Sequence, residues 1–131
     1  MGNAKLILLV DDDSDFLEQN RQVLAARGYR VECSSDPQEA LQAAQRERPD
    51  LVVTDLMMKS LDSGFTLARA LKGDPALAGI PVILVTAAAS QRGFDFNPRT
   101  REDLRAMNAD AFFDKPVSPL LLIAKIEELL A

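Results

Sequence analysis

Four short apolar runs constrain this chain most, because none of them alternates and each breaks off at a reactive side chain. Leu6-Ile-Leu-Leu-Val10 stops at Asp11-Asp12-Asp13. Leu51-Val-Val-Thr54 stops at Asp55, Pro81-Val-Ile-Leu-Val85 at Thr86, and Ala111-Phe-Phe113 leads into Asp114 and Lys115. A strand with one wetted face alternates apolar and polar residues, whereas an unbroken apolar run needs cover on both faces. That cover comes from helices laid over a parallel sheet. Carboxylates, a hydroxyl and an ammonium at separate strand ends are what an open α/β sheet delivers to one crevice.

The intervening segments read as those helices. Asp13 or Ser14 can cap the first, with Phe16, Leu17, Val23 and Leu24 on its inward side and Gly28 as its stop. A second strand follows at 29–33. Asp36-Pro37-Gln38-Glu39 is a helix start, with Asp as cap, Pro at the first helical position and Glu where a capping box wants it. Ala40, Leu41, Ala43 and Ala44 give that helix a small-residue packing face, and Pro49 ends it. Asp62-Ser63-Gly64 opens a third helix, on which Phe65, Ala68 and Leu71 share a side and which Lys72-Gly73-Asp74-Pro75 stops. Ser118-Pro119 caps the last, with Leu120, Ile123, Ile126, Leu129 and Leu130 apolar. Its breadth leaves some face for a partner beyond the core.

Residues 87–105 break the rhythm. They hold Phe94, Phe96 and a turn-forming Asn97-Pro98, and a helix is expected to resume near Thr100. A loop this long in a compact domain usually has a task or its own local packing. The pattern is otherwise strand–helix repeated five times, which predicts an α/β fold: a doubly wound, flavodoxin-like, five-stranded parallel sheet. The strand order 2-1-3-4-5 is adopted, in part on the resemblance given below. One domain, 1–131, is expected.

Composition closes off several function classes. A net charge of −5 disfavours direct contact with a nucleic-acid backbone. The 131 residues contain no histidine, which removes His general bases, His-metal sites and any phosphohistidine within them. The single cysteine, Cys33, cannot form an internal disulfide and reads as a small buried residue ending a strand. With neither a signal-like N-terminus nor an apolar run long enough to span a bilayer, a cytoplasmic location without membrane contact is expected.

In the adopted strand order the crevice lies between strands one and three, which brings Asp11 and Asp12 beside Asp55. Unit charges about 4 Å apart repel by roughly 4 kcal/mol at an effective dielectric of ~20. A divalent cation together with Lys115 would offset three carboxylates there. Hard oxygen ligands in a small, partly hydrated site favour Mg²⁺ over Ca²⁺, and zinc lacks its usual ligands. A carboxylate can attack phosphorus to form an aspartyl phosphate, with metal and ammonium stabilising the charge. Thr86 offers a hydroxyl to a phosphoryl oxygen, and the added charge of about −2 would draw Thr86 inward and disturb nearby packing.

The motifs Leu9-Val-Asp-Asp-Asp13, Val53-Thr-Asp-Leu-Met-Met58, Leu84-Val-Thr-Ala87 and Phe112-Phe-Asp-Lys-Pro116 together resemble the receiver domain of two-component response regulators, in its stand-alone form without an output domain. The resemblance covers nearly the whole chain. It implies that Asp55 is the phosphoacceptor and that Asp11 and Asp12 are the acid pair, Asp12 being the direct Mg²⁺ ligand. It further implies a metal-facing backbone carbonyl at Met57, a switch hydroxyl at Thr86, a phosphate-binding Lys115 followed by a cis Pro116, and an aromatic switch at Phe112. The implied activity is phosphotransfer from the phosphohistidine of a sensor histidine kinase or phosphotransfer protein, then autodephosphorylation. Phosphorylation would switch docking to a downstream protein, and a homodimer is compatible with such a device. Two departures concern loops: Lys59 replaces the usual proline after Met58, with the stretch to Gly64 one residue long, and several extra residues precede Phe112.

Two other readings compete. Asp11-x-Asp13 after an apolar strand, with Thr86 and Lys115 later, imitates the phosphatase signature of the haloacid-dehalogenase type, which would make Asp11 the nucleophile. It leaves Asp55 without a role and lacks a late acidic metal pair. A receiver-like adaptor that never carries phosphate is the third reading. Singly, Asp13 reads as a helix cap, Thr86 as a β-branched strand residue, Lys115 as a solvated charge, and Phe94 and Phe96 as local packing. The convergence of Asp11, Asp12, Asp55 and Lys115 is what favours function. No glycine-rich turn follows the first strand, which disfavours a Rossmann nucleotide site.

Overall fold

A computed structural model describes residues 4–55, 63–86, 109–115 and 117–131, with the side chains of 63–65 and 86 excepted. Its elements are β1 (Leu6–Val10), α1 (Ser14–Ala26), β2 (Arg30–Ser34), α2 (Pro37–Arg46), β3 (Leu51–Asp55), α3 (Ser63–Gly73), β4 (Val82–Thr86), β5 (Ala111–Asp114) and α4 (Pro119–Leu130). The strands form one sheet in the order β2-β1-β3-β4-β5, with every pairing parallel. Both the fold class and the strand order are as expected.

The apolar runs are covered on both faces. All five residues of β1 and of β3 are buried. Leu8, Val10, Val52, Val82 and Leu84 point to one side, where they meet Ala40, Ala43 and Ala44 of α2 and Leu67, Ala68 and Leu71 of α3. Ile7, Leu9, Leu51, Val53, Ile83 and Val85 point to the other, against Leu24 of α1 and Leu122, Ile123 and Ile126 of α4. Burying each such aliphatic side chain is worth about 1.5–3 kcal/mol, so the two cores hold the sheet between two helical layers.

The helix ends follow their side chains. Asp13 caps α1, accepting from the backbone N–H groups of Asp15 and Phe16, and Asp36 caps α2 through Gln38 and Glu39. Gly28 takes φ +92° just past α1, a left-handed conformation that side chains resist. Ser118 stands at the N-cap of α4, but its side chain makes no capping hydrogen bond there, contrary to expectation. β2 lies one residue later than expected, at Arg30–Ser34 rather than 29–33, because its register is set by pairing with Leu6–Val10. Cys33 is exposed rather than buried, since β2 is an edge strand. Leu120 and Leu121 are also exposed, at 66% and 60%, so the core face of α4 is narrower than its composition suggests. The loop at 93–99 with Phe94 and Phe96, the helix expected near Thr100, and Lys59 and Asp62 lie outside the described residues. Among those described, no helix is long and apolar enough to cross a membrane.

Candidate functional site

Register alone brings the reactive ends together. Val10 pairs with Thr54, Thr54 with Leu84, and Leu84 with Phe112. One residue further along, Asp55 pairs with Val85 and Val85 with Phe113, and beyond them Thr86 pairs with Asp114. Asp11 follows Val10 directly, and Lys115 follows Asp114. Strand side chains alternate faces, so Asp11, Asp55 and Lys115 share the parity of Leu9, Val53 and Phe113. They therefore converge on the side covered by α1 and α4.

Carboxylate oxygens of Asp11, Asp12 and Asp55 all lie within 4.8 Å of one another. Asp11 is fully buried, Asp55 is 7% exposed, and Asp12 stands open to solvent. The Lys115 Nζ donates to Asp11 Oδ2 at 2.7 Å and lies 3.5 Å from Asp55 Oδ2. The other Asp11 oxygen, Oδ1, accepts from the Asp13 N–H at 2.9 Å. The aromatic ring of Phe16, from α1, lies beneath the ammonium, with its centroid 4.6 Å from Nζ.

Burial pushes the Asp11 carboxyl above its ordinary value, and the hydrogen bonds from Lys115 and Asp13 only partly offset it. Burial also works against the Lys115 ammonium. There the hydrogen bond to Asp11 and the charges of Asp11, Asp55 and Asp13 outweigh it, and the lysine stands above its ordinary value. Three carboxylates and one ammonium leave a formal −2. All-oxygen donors with one exposed member fit a hard, partly hydrated divalent cation, and the remainder matches its charge.

The expected site residues thus fall into groups. Asp11, Asp12, Asp55 and Lys115 are brought together. Thr86 ends β4 at the same end of the sheet, its side chain outside the described set. Phe112 is half-buried against the core on the α2–α3 side. Met57 and Pro116 lie outside the described residues. Sequence reasoning assigned Phe16 to the core of α1 and missed its contact with Lys115. The partners are 99 positions apart, and nothing local signals the meeting. Asn20 was missed as well: it is buried and its Nδ2 donates to the Phe16 carbonyl at 2.9 Å.

The chain is similar to known proteins along nearly its whole length. The family model for the response regulator receiver domain matches residues 7–127. The response regulator PleD of Caulobacter vibrioides is 35% identical over 123 residues, covering 94% of this chain and 25% of that protein. The chain spans about half or less of the curated relatives it matches. Among solved structures, the chemotaxis response regulator CheY4 of Vibrio cholerae superposes with a TM-score of 0.81 at 25% identity, covering 97% of this chain and 99% of that one. The receiver domain of a sensor histidine kinase from Pseudomonas aeruginosa, solved with magnesium in its active-site cleft, gives 0.79 at 25% identity, covering 97% and 98%.

Proposed function

The chain belongs to the response regulator receiver domain family, and from that premise we propose that Asp55 takes a phosphoryl group from a phosphohistidine and that the phosphorylated form docks a downstream protein. The observation that carries the reading is the convergence of Asp11, Asp12 and Asp55 within 4.8 Å, bridged by Lys115. These 131 residues hold no histidine, so the donor imidazole lies outside them, on a sensor histidine kinase or a phosphotransfer protein.

An oxygen of Asp55 forms the new O–P bond as the P–N bond of the donor breaks. The electron pair of that bond returns to the imidazole nitrogen, which takes up a proton. Lys115 is placed to follow the charge from the Asp55 carboxylate onto the phosphoryl oxygens. Asp11 holds Lys115 in place, and with Asp12, Asp55 and the Met57 carbonyl it would supply the ligand set for Mg²⁺. When bound, the metal lowers the repulsion between the acids and stabilises charge on the transferring group. The Thr86 hydroxyl donates to the phosphoryl group and draws the end of β4 with it, and Phe112 repacks in response. Attack of water on phosphorus returns Asp55 and releases phosphate.

The competing nucleophile, Asp11, is poorly suited. It is fully buried and both its oxygens are engaged, whereas Asp55 keeps a small opening to solvent. Acetyl phosphate with Mg²⁺ tests the assignment. Borohydride reduction of labelled protein, followed by peptide mapping, is expected to place the acyl phosphate at Asp55, and Asp55→Asn is expected to abolish the label. Reduction products at Asp11 would support the phosphatase-like reading. Unlabelled wild-type protein would support an adaptor that works without phosphate.

A further inference from the structure

We propose that Phe16 is a positioning residue for Lys115: its ring holds the ammonium at the mouth of the acid cluster while leaving its N–H groups for oxygen. The inference rests on the phosphotransfer reading above. It begins from a closed circuit of contacts. Asp11 Oδ2 accepts from Lys115, and Asp11 Oδ1 accepts from the Asp13 N–H. Asp13 Oδ1 accepts from the Phe16 N–H at 3.4 Å, and the Phe16 ring lies 4.6 Å from Lys115 Nζ. The buried Asn20 side chain donates to the Phe16 carbonyl at 2.9 Å, joining the first turn of α1 to the next. The lysine is therefore contacted from two directions, by the Asp11 carboxylate and by the start of α1.

The chemistry of the third partner matters. Lys115 must leave water while remaining charged, and two carboxylates already stand near it. A further carboxylate in direct contact would satisfy the ammonium and compete with an incoming phosphoryl group. The negative face of an aromatic ring attracts the cation without taking a formal charge or a strong hydrogen bond. A lysine held in this way keeps its N–H groups for oxygen and stands 3.5 Å from Asp55 Oδ2. An aliphatic residue at position 16 would fill similar space but supply no such attraction.

The experiment compares wild type with Phe16→Leu, Phe16→Trp and a protein carrying pentafluorophenylalanine at position 16, which keeps the ring's shape and reverses the sign of its face. Labelling rate with acetyl phosphate, lifetime of the phosphorylated form, Mg²⁺ affinity by calorimetry and urea stability are measured for each. Phe16→Leu is expected to slow labelling by roughly 3- to 10-fold. The fluorinated protein should be slowed similarly, Phe16→Trp should stay near wild type, and Mg²⁺ affinity should be unchanged throughout. If the fluorinated ring labels as fast as phenylalanine, the contact is packing only and the proposal is overturned. The same follows if Phe16→Leu labels at the wild-type rate. Loss of labelling in wild type itself would instead overturn the phosphotransfer reading, and this inference with it.

Discussion

Asp11 shows how a single residue can be kept at a cost to stability. Its carboxylate is fully buried, and its pKa is raised because burial outweighs its hydrogen bonds. A folded-state value above the unfolded one means that the native form binds the proton more tightly. Stability is therefore lost as pH rises from the unfolded value of 3.8 through the folded one, and the full penalty applies at neutral pH. Asp11→Asn should accordingly be more stable than wild type at pH 7 without divalent ions. The gap should close as pH falls below the Asp11 titration. Paired thermal melts between pH 3 and 7 check this, and a variant no more stable at pH 7 would refute it. Lys115 has the opposite economy: its raised value keeps it charged at neutral pH, and the stability it contributes is lost only above the ordinary lysine value of 10.5.

Among the elements, the strands carry a device at the far end of the sheet from the site. Asp50, just before β3, donates its N–H to the Leu6 carbonyl and accepts the Leu6 N–H on its side chain at 2.7 Å. Asp110, just before β5, does the same to Val82, accepting its N–H at 2.8 Å. Each carboxylate satisfies a donor at the start of the neighbouring strand and so pins the register that sets the reactive ends. Lys72 from the end of α3 reaches the Ile80 carbonyl at 2.9 Å and lies 3.5 Å from Asp110, tying that latch to the helical layer. Removing one latch leaves a part-buried N–H without its partner, at about 1–3 kcal/mol. Asp50→Ala should thus lower the urea midpoint by a corresponding amount with no change in slope. A midpoint equal to wild type would show that water replaces the carboxylate at no cost.

For the whole molecule, the decisive quantity is charge at one end of the sheet. Three carboxylates against one ammonium leave a site that favours a divalent cation. A ligand that binds only the native state stabilises it by about 2.7 kcal/mol at ~100 times its dissociation constant. For a domain of this size that corresponds to a rise in Tm of roughly 10 °C with Mg²⁺. Asp12 is the exposed member of the cluster, so Asp12→Ala should remove most of the rise while leaving the metal-free Tm close to wild type. Calorimetry with and without Mg²⁺ reads both quantities. An unchanged rise in Asp12→Ala would exclude Asp12 as a ligand.

Periodicity and strand-end chemistry were enough to determine the parallel α/β class, the helix cap at Asp36, and the reactive strand ends at Asp11, Asp12, Asp55 and Lys115, because these depend on local pattern along the chain; for the first helix they left Asp13 and Ser14 both open as caps. The strand order needed the family resemblance as well, since periodicity does not say which strands are neighbours. Local pattern did not reach the exposure of Cys33, which depends on β2 being an edge, or the unused cap at Ser118. Nor did it reach the latches of Asp50 and Asp110 or the ring of Phe16 under Lys115. The latches and the ring are contacts between residues far apart in the chain, chosen by packing and register, and only the folded arrangement brings those partners within reach.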